Sequence, residues 1–304
     1  MRQRIVAGLL SLSFIAGQPA SLSAGLPVSF APWALNPVRF PAAGSSWRAA
    51  EVPDLPVGRE VGDNIRLSDA EALRIGKLIW RNESGGTVDG LTHWNTGEDF
   101  ASVGIGHFIW YVEGGSGPFV ESFPALLSFL IVNDAAVPDW LAEARGCPWP
   151  TREAFFKSFR SKRMNALRNL LSSTVDLQAR FAAHRLEGAL PKILEAAPVA
   201  DRASLRSRFY AVAAHPRGVY ALVDYVNFKG EGVSPTERYN GMGWGLLQVL
   251  SEMGDSAPGA EAVAAFSEAA GEVLERRVAL SPPARGETRW LPGWKKRVAT
   301  YLVD

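Results

Sequence analysis

The chain has 304 residues, of which 47% are hydrophobic and 21% are charged, and it contains 10 Trp and a single Cys. These proportions exclude a disordered chain, a collagen-like repeat and a small domain held by disulfides. The 32 basic and 31 acidic residues give a formal net charge of +1. Net charge therefore gives no support to a nucleic-acid-binding function, and we expect no nucleic-acid partner.

Residues 1–24 have the features of a secretory signal peptide. Arg2 and Arg4 precede a short apolar stretch, and small residues follow up to Ala24. The apolar stretch is shorter than the roughly 20 residues that a membrane span needs, so we expect no stable membrane anchor after cleavage. No Cys lies near the cleavage zone, which argues against a lipid-modified terminus. We predict a periplasmic or secreted protein.

Residues 25–62 are rich in Pro, Gly, Ala and Ser and show no sustained periodicity. We interpret them as a linker or a strap along the surface, and we place the folded domain at residues 63–304. Cys147 has no second Cys to pair with, so core packing has to stabilise this domain.

The first predicted helix begins with a capping box at Ser68-x-x-Glu71. Apolar residues continue at helical spacing, and the paired glycines Gly85-Gly86 end the helix. Glu83 therefore lies on its last turn. The negative end of the helix dipole disfavours a charged carboxylate there, and a water-excluding cleft would add to this effect. Such a group can donate a proton as a general acid, although a solvated Glu at a frayed helix end is the commoner case.

The next segment, residues 87–111, combines turn-forming residues with β-branched and aromatic residues. This composition predicts a small irregular sheet directly after the helix. The segment also contains chemically useful side chains close in sequence to Glu83. They are the carboxylates Asp89, Glu98 and Asp99, the imidazoles His93 and His107, and the aromatic rings Trp94, Trp110 and Tyr111.

A helix that ends on Glu83, followed by a sheet in which Ser102 precedes Gly104-Ile105-Gly106-His107, resembles the phage-type lysozymes. These are muramidases, which cut the glycan strands of peptidoglycan. The segments 287–290 and 293–297 look like the late Arg-Trp and Arg-bearing elements of that family. The resemblance implies an α+β, mainly α, lysozyme-like fold, with a small sheet after the first helix and a larger helical lobe. It also implies peptidoglycan as the partner, Glu83 as the general acid, and Ser102 at the position of a Thr.

The second carboxylate of the expected hydrolase site has no unambiguous match. Asp89, Glu98 and Asp99 all compete for this position, and 19 positions separate Glu83 from Ser102, more than is usual in the family. We favour Glu98, because it precedes the strand of Ser102 and because Gly97 frees the backbone to turn. The predicted catalytic residues are therefore Glu83, Glu98 and Ser102.

Two other functions remain open. Glu83-Ser84-Gly85, together with residues 243–248, also resembles the lytic transglycosylases, which have a related fold and use a single Glu. A lysozyme-like protein that binds or inhibits at the cell wall without catalysis is the third possibility. The predicted substrate-binding residues are Trp94, Asn95, His107, Trp110, Tyr111, Tyr239 and Gln248. The rings of Trp94, Trp110 and Tyr111 are candidate sugar platforms, but Trp is more often a core residue.

A metal site or a basic binding surface would imply a different function. His93, Glu98 and His107 fit no short metal-binding motif, so we expect no metal and no cofactor. Residues 151–185 carry eight basic residues against two acidic ones, within a helical apolar pattern that begins after Thr151. We favour a solvated helix surface, and a rim that attracts an anionic polymer is the alternative. Residues 260–280 predict another amphipathic helix.

Overall fold

A computed structural model describes residues 65–117 and 119–303. It is 61% helix with one small antiparallel sheet, which confirms the predicted α+β, mainly α class. The predicted signal peptide, residues 1–24, and the predicted linker, residues 25–62, lie outside the described residues.

The described residues form three short strands and eleven α-helices. The strands are β1 (Thr92–His93), β2 (Phe100–Val103) and β3 (Phe108–Tyr111). The helices, in chain order, are α1 (Asp69–Ser84), α2 (Phe123–Val132), α3 (Asp139–Ala142), α4 (Arg152–Lys157), α5 (Lys162–Ser173), α6 (Val175–Glu195), α7 (Arg202–Ala213), α8 (Pro216–Lys229), α9 (Leu246–Glu252), α10 (Ala260–Leu280) and α11 (Leu291–Ala299).

Helix α1 has the ends that its sequence predicts. Ser68 accepts a hydrogen bond from the Glu71 amide, and the Glu71 carboxylate accepts one from the Ser68 amide. Gly85 ends the helix in the left-handed region at φ 63°, a conformation that glycine adopts without a steric penalty. Both caps together hold Glu83 on the last turn. The helices predicted from Thr151 and across residues 260–280 are likewise confirmed as α4 and α10.

The sheet follows α1 directly, in the order β1-β2-β3 with antiparallel pairs. Its two faces differ in what they contact. One face carries Ala101, Val103 and Trp110 into the main core. On the other face, Phe100, Ile109 and Tyr111 form a small separate cluster. Ser102 lies on this second face, paired across the strands with His93 and Ile109.

The main core surrounds α6, which packs along α1 and also contacts α2, α7 and α8. Helix α10 packs against α7, α8, α9 and α11 to complete the larger, helical part. This arrangement brings α11, from the end of the described chain, beside the C-terminal end of α1. Among the described helices, none combines the length and the apolar character required to cross a bilayer.

Candidate active site

The Glu83 carboxylate lies between two basic side chains. The Arg297 Nη2 atom donates to Glu83 Oε1 at 2.5 Å, and the His107 Nδ1 atom lies 3.5 Å from Oε2. The Glu83 side chain retains 17% of its accessible surface, so it is partly shielded but open to solvent. Oε1 is therefore firmly oriented, whereas Oε2 is the more loosely held oxygen.

A buried carboxylate, Asp224 on α8, holds Arg297 in place. The Arg297 guanidinium donates to both Asp224 oxygens, at 2.8 and 2.9 Å. The Tyr301 hydroxyl and the Asn82 amide donate to the same carboxylate, at 2.8 and 3.1 Å. Asp224 is completely buried, and these four donors compensate the loss of hydration. The Arg297 side chain is thereby fixed at the position where it meets Glu83.

The ionisation of the bases follows from these contacts. Burial by itself would lower the pKa of Arg297, but Asp224 and then Glu83 raise it above its ordinary value. Burial lowers the pKa of His107, and His93 and Arg297 lower it further, against the opposing effect of Glu83. At neutral pH the site therefore holds a guanidinium cation and a neutral imidazole on either side of Glu83.

His107 reaches this position through the tight turn between β2 and β3. The turn residues Gly104 and His107 both have positive φ, 79° and 51°. The buried Gln178 side chain of α6 accepts a hydrogen bond from the Ile105 amide at 2.9 Å. A Cβ on Gly104 would lie only 2.5 Å from the same Gln178 oxygen, so glycine is required for this close approach. The Gly-Ile-Gly-His motif thus positions the imidazole that contacts Glu83.

The other two predicted catalytic residues lie near the second face of the sheet, the face of Phe100, Ile109 and Tyr111. Ser102 is on that face, and Glu98 precedes β2. Ser102 is 3% exposed and stands opposite His93 of β1. The Glu98 carboxylate accepts a hydrogen bond from the Asn95 amide at 3.0 Å, and Asn95 also contacts His93 at 2.9 Å. His93 also lowers the pKa of His107, the imidazole that contacts Glu83.

The competing carboxylate Asp89 has a structural role. Two arginines, Arg160 and Arg168, form ion pairs with it at 2.8 and 3.2 Å. Asp99 is exposed. Burial raises the pKa of Tyr111, and Glu121, Asp99 and Glu98 raise it further. Of the three candidates for a second carboxylate, Glu98 is hydrogen-bonded to Asn95, which contacts His93 of β1.

The predicted sugar platforms Trp94 and Trp110 do not present their rings to solvent. They are 3% and 2% exposed and pack into the main core, where Trp110 contacts Phe123 and Trp149. Tyr111 is also 3% exposed, with its hydroxyl donating to the Phe119 carbonyl. A stacking role therefore does not fit these three residues, because a sugar requires an accessible ring face.

Tyr239 and Gln248 hold the segment that joins α8 to α9. The Tyr239 hydroxyl donates to Glu287 at 2.8 Å. The Gln248 side chain donates to the Gly232 carbonyl and accepts from the Gly245 amide. Neither residue is among those that contact Glu83, so both support the helical part of the site from a distance.

The basic stretch from residue 151 to 185 is not simply a solvated surface. Arg168 is 2% exposed and stacks on the Phe159 ring, with its guanidinium carbon 3.8 Å from the ring centroid. Arg152 and Arg180 donate to backbone carbonyls of Trp94 and Leu67. The expectation of solvation is therefore wrong for Arg168, because this side chain is used to hold the sheet against the helices.

The groups behind Glu83 were not among the residues predicted from the sequence. Asn82 and Asp224 lie in helices whose apolar spacing gives no sign of a polar cluster. Tyr220 is also in this cluster, accepting from Asn82 at 2.6 Å, and burial raises its pKa to about 12, with Asp224 adding to the effect. Arg297 lies in a segment already identified by resemblance.

In the described part of the chain, no cluster of three or more His, Cys, Asp or Glu side chains is suited to hold a metal ion.

Comparison with known proteins adds no assignment. No protein-family model matches the chain, and no curated protein and no solved structure matches it significantly.

Proposed function

We propose that this chain is an exported, lysozyme-like muramidase that cleaves peptidoglycan glycan strands with Glu83 as its general acid. The observation that carries the proposal is the partly exposed Glu83 carboxylate, capped onto the last turn of α1 and held between Arg297 and His107. The order of a first helix, a small sheet and a larger helical part supports the lysozyme-like fold in the same proposal. The export part of this proposal rests on the predicted signal peptide, residues 1–24, alone.

The chemistry requires a proton on the leaving oxygen and stabilisation of an oxocarbenium-like state. Because Arg297 orients Oε1, we assign the proton to Oε2, the oxygen that faces His107. The neutral imidazole can accept a hydrogen bond from a protonated Oε2 without placing a second cation beside it. Substrate that excludes water and weakens the contact with Arg297 would favour the protonated acid. Glu98 and Ser102 would stabilise the developing charge or orient the attacking water.

A lytic transglycosylase is the second candidate, and a specific observation favours it. In the described chain, the hydrogen bonds and ion pairs of the Glu83 carboxylate all involve bases, and none brings a second carboxylate into contact. A transglycosylase uses one Glu as acid and then as base, while a hydroxyl of the sugar attacks. The site accommodates this reaction without any role for Glu98.

Digestion of purified sacculi tests both candidates. Products with reducing ends would support hydrolysis, and anhydro products would support the transglycosylase. Glu83→Gln should abolish either product while the fold is retained, and Glu98→Gln should impair hydrolysis alone. Glu272→Gln, at an exposed position of α10, is the matched control and should cleave normally.

Retained cleavage by the Glu83→Gln variant would overturn the assignment of the acid. If the folded wild-type protein releases no product, the remaining alternative is a wall-binding protein without catalysis. Circular dichroism and a thermal melt establish that each variant is folded.

A further inference from the structure

A layer of aromatic rings between residues 140 and 159 carries arginine side chains on its surface. Five rings contact one another in sequence, with centroids 5.3 to 6.4 Å apart: Trp140, Trp149, Phe155, Phe156 and Phe159. Three guanidinium groups lie over rings of this layer, 4.6 to 5.4 Å from a centroid: Arg152, Arg160 and Arg163. Such contacts restrict a long side chain, so less conformational entropy is lost when its charge meets an anion.

The eight basic residues between 151 and 185 have different roles in the structure. Arg168 is buried against Phe159, Arg180 pairs with Asp69, and Arg185 is a largely buried residue whose pKa burial lowers to about 10. The remaining five form what we call the basic surface: Arg152, Lys157, Arg160, Lys162 and Arg163. Arg152 is partly exposed and the other four are exposed, so these charges are available to a partner.

Carboxylates of the protein neutralise only part of the basic surface. Asp89 pairs with Arg160 at 2.8 Å, but it also pairs with the buried Arg168 at 3.2 Å. Glu153 is the single acidic residue from 151 to 163. None of the described carboxylates forms an ion pair with three members of the surface: Lys157, Lys162 and Arg163. Counted against Asp89 and Glu153, the basic surface keeps an excess of three positive charges.

The basic surface borders β1, the edge strand of the sheet. The Arg152 guanidinium donates to the Trp94 carbonyl at 2.9 Å. The Phe156 ring meets the exposed His93 ring edge to face, with the centroids 6.1 Å apart. His93 is paired across the strands with Ser102. A polymer that lies along the sheet and passes beyond β1 would therefore meet the basic surface.

We propose that the basic surface binds the free carboxylates of peptidoglycan stem peptides. The proposal rests on the proposed function, which supplies peptidoglycan as the polymer. A lactyl carboxyl that bears a peptide is consumed in an amide bond, so the free carboxylates of a peptide-bearing strand belong to its peptides. Guanidinium groups pair with carboxylates through two parallel hydrogen bonds, and lysines add charge attraction. The basic surface thereby holds the peptide part of the substrate, separately from the glycan bond assigned to Glu83.

Co-sedimentation with purified sacculi tests this proposal. Every chain in the assay carries Glu83→Gln, so that the polymer is not cut during the measurement. One preparation has its peptide amines acetylated; the other is acetylated and also has its peptide carboxyls converted to amides, so it is neutral. The parent chain should bind the carboxylate form about 10-fold more tightly at low ionic strength. The difference should vanish near 1 M salt, where the screening length is about 3 Å.

The triple variant Lys157→Gln, Lys162→Gln and Arg163→Gln should lose this preference. Because the three side chains are exposed and form no ion pair, their replacement should leave the fold intact. The matched control removes three exposed charges elsewhere in the chain: Arg66→Gln, Lys77→Gln and Lys296→Gln. The control should keep the preference, and circular dichroism establishes that both triple variants are folded.

Equal binding of the two preparations by the parent chain would overturn the proposal, as would a preference that survives in the first triple variant or is lost equally in the control. Vesicles of phosphatidylglycerol are the third probe. Binding of vesicles through the same three residues, without discrimination between the two preparations of sacculi, would overturn the assignment to peptides in favour of a membrane surface.

The proposed function fails separately from this proposal. A wild-type chain that releases no product from sacculi, in a background where the preference for the carboxylate form persists, would refute catalysis and leave the basic surface standing. Cleavage by a chain that shows no such preference would refute the role of the basic surface and leave catalysis standing.

Discussion

The candidate active site has two sides that differ in how the chain builds them. The sheet side consists of Glu83, Ser102 and His107, which are close in sequence and follow one helix end and one turn. The helix side consists of Asp224, Arg297 and Tyr301, and the contact from Arg297 to Glu83 joins residues 214 positions apart. The sheet side supplies the group that would react, and the helix side determines its electrostatic surroundings. The difference indicates that a local motif supplies the proposed acid, whereas distant packing determines its surroundings.

The same two sides also differ in how deeply their side chains are buried. Asp224 and Tyr301 are fully buried, whereas Glu83 and His107 keep 17% and 25% of their side-chain surface. Substitutions on the helix side should therefore reduce stability most strongly, and substitutions of Glu83 should affect activity with little loss of stability. Measurements of both quantities on each side would test this division.

The largest stability effect is expected for Asp224→Ala. This change removes the acceptor of four hydrogen bonds and leaves Arg297 without its main partner. Breaking a buried ion pair in this way should lower the free energy of unfolding by about 3–5 kcal/mol. Denaturant unfolding followed by circular dichroism measures the loss.

The control for Asp224→Ala is Asp255→Ala. Asp255 also pairs with an arginine, Arg208, but its side chain is 84% exposed. Its loss should be a small fraction of the loss at Asp224, because solvent screens exposed pairs. Equal losses at the two positions would show that the helix side is no more than another surface ion pair.

The same contrast explains how much of the structure could be predicted from the sequence. Helix α1 and the position of the sheet follow from a capping box, paired glycines and turn-rich composition, which all act over a few residues. The helix side has no such signal. Asp224 lies in a helix with ordinary apolar spacing, and its partners arrive from α1 and from the residues around α11.

Trp94 and Trp110, which were predicted as sugar platforms but lie in the core, illustrate a second limit of prediction from sequence. Side chains alternate between the faces of a strand, so the face has to be known before a role can be assigned. Phe100, Ile109 and Tyr111 make the outer face of this sheet apolar as well, and composition therefore could not identify the core side. The actual register places Trp110 opposite Ala101, on the core side.

A smaller effect is expected for Gly104→Ala, which tests the turn that positions His107. The left-handed conformation at φ 79° costs a residue with a Cβ about 1–2 kcal/mol, and the contact with Gln178 adds to this loss. Gly97→Ala is the matched control, because Gly97 has φ 82° but no atom within 4 Å of an added Cβ. The difference between their unfolding free energies isolates the contact. If the two losses are equal, Gln178 does not restrict the turn.

The smallest effect is the pH dependence of stability that arises from His107. Its pKa is lowered in the folded state, so between that value and the ordinary 6.5 the unfolded chain binds more protons. Stability should therefore fall as the pH decreases through this window, by less than about 1 kcal/mol, since the imidazole is partly exposed and Glu83 opposes the shift.

His107→Gln should flatten this acid-side slope, whereas His184→Gln, at an exposed position of α6, should not. The sign of the slope is what matters for the site. An imidazolium paired with Glu83 would make the wild-type protein gain stability on acidification through the same window. That outcome would place a cation on each side of Glu83 and would contradict a neutral His107 beside Oε2.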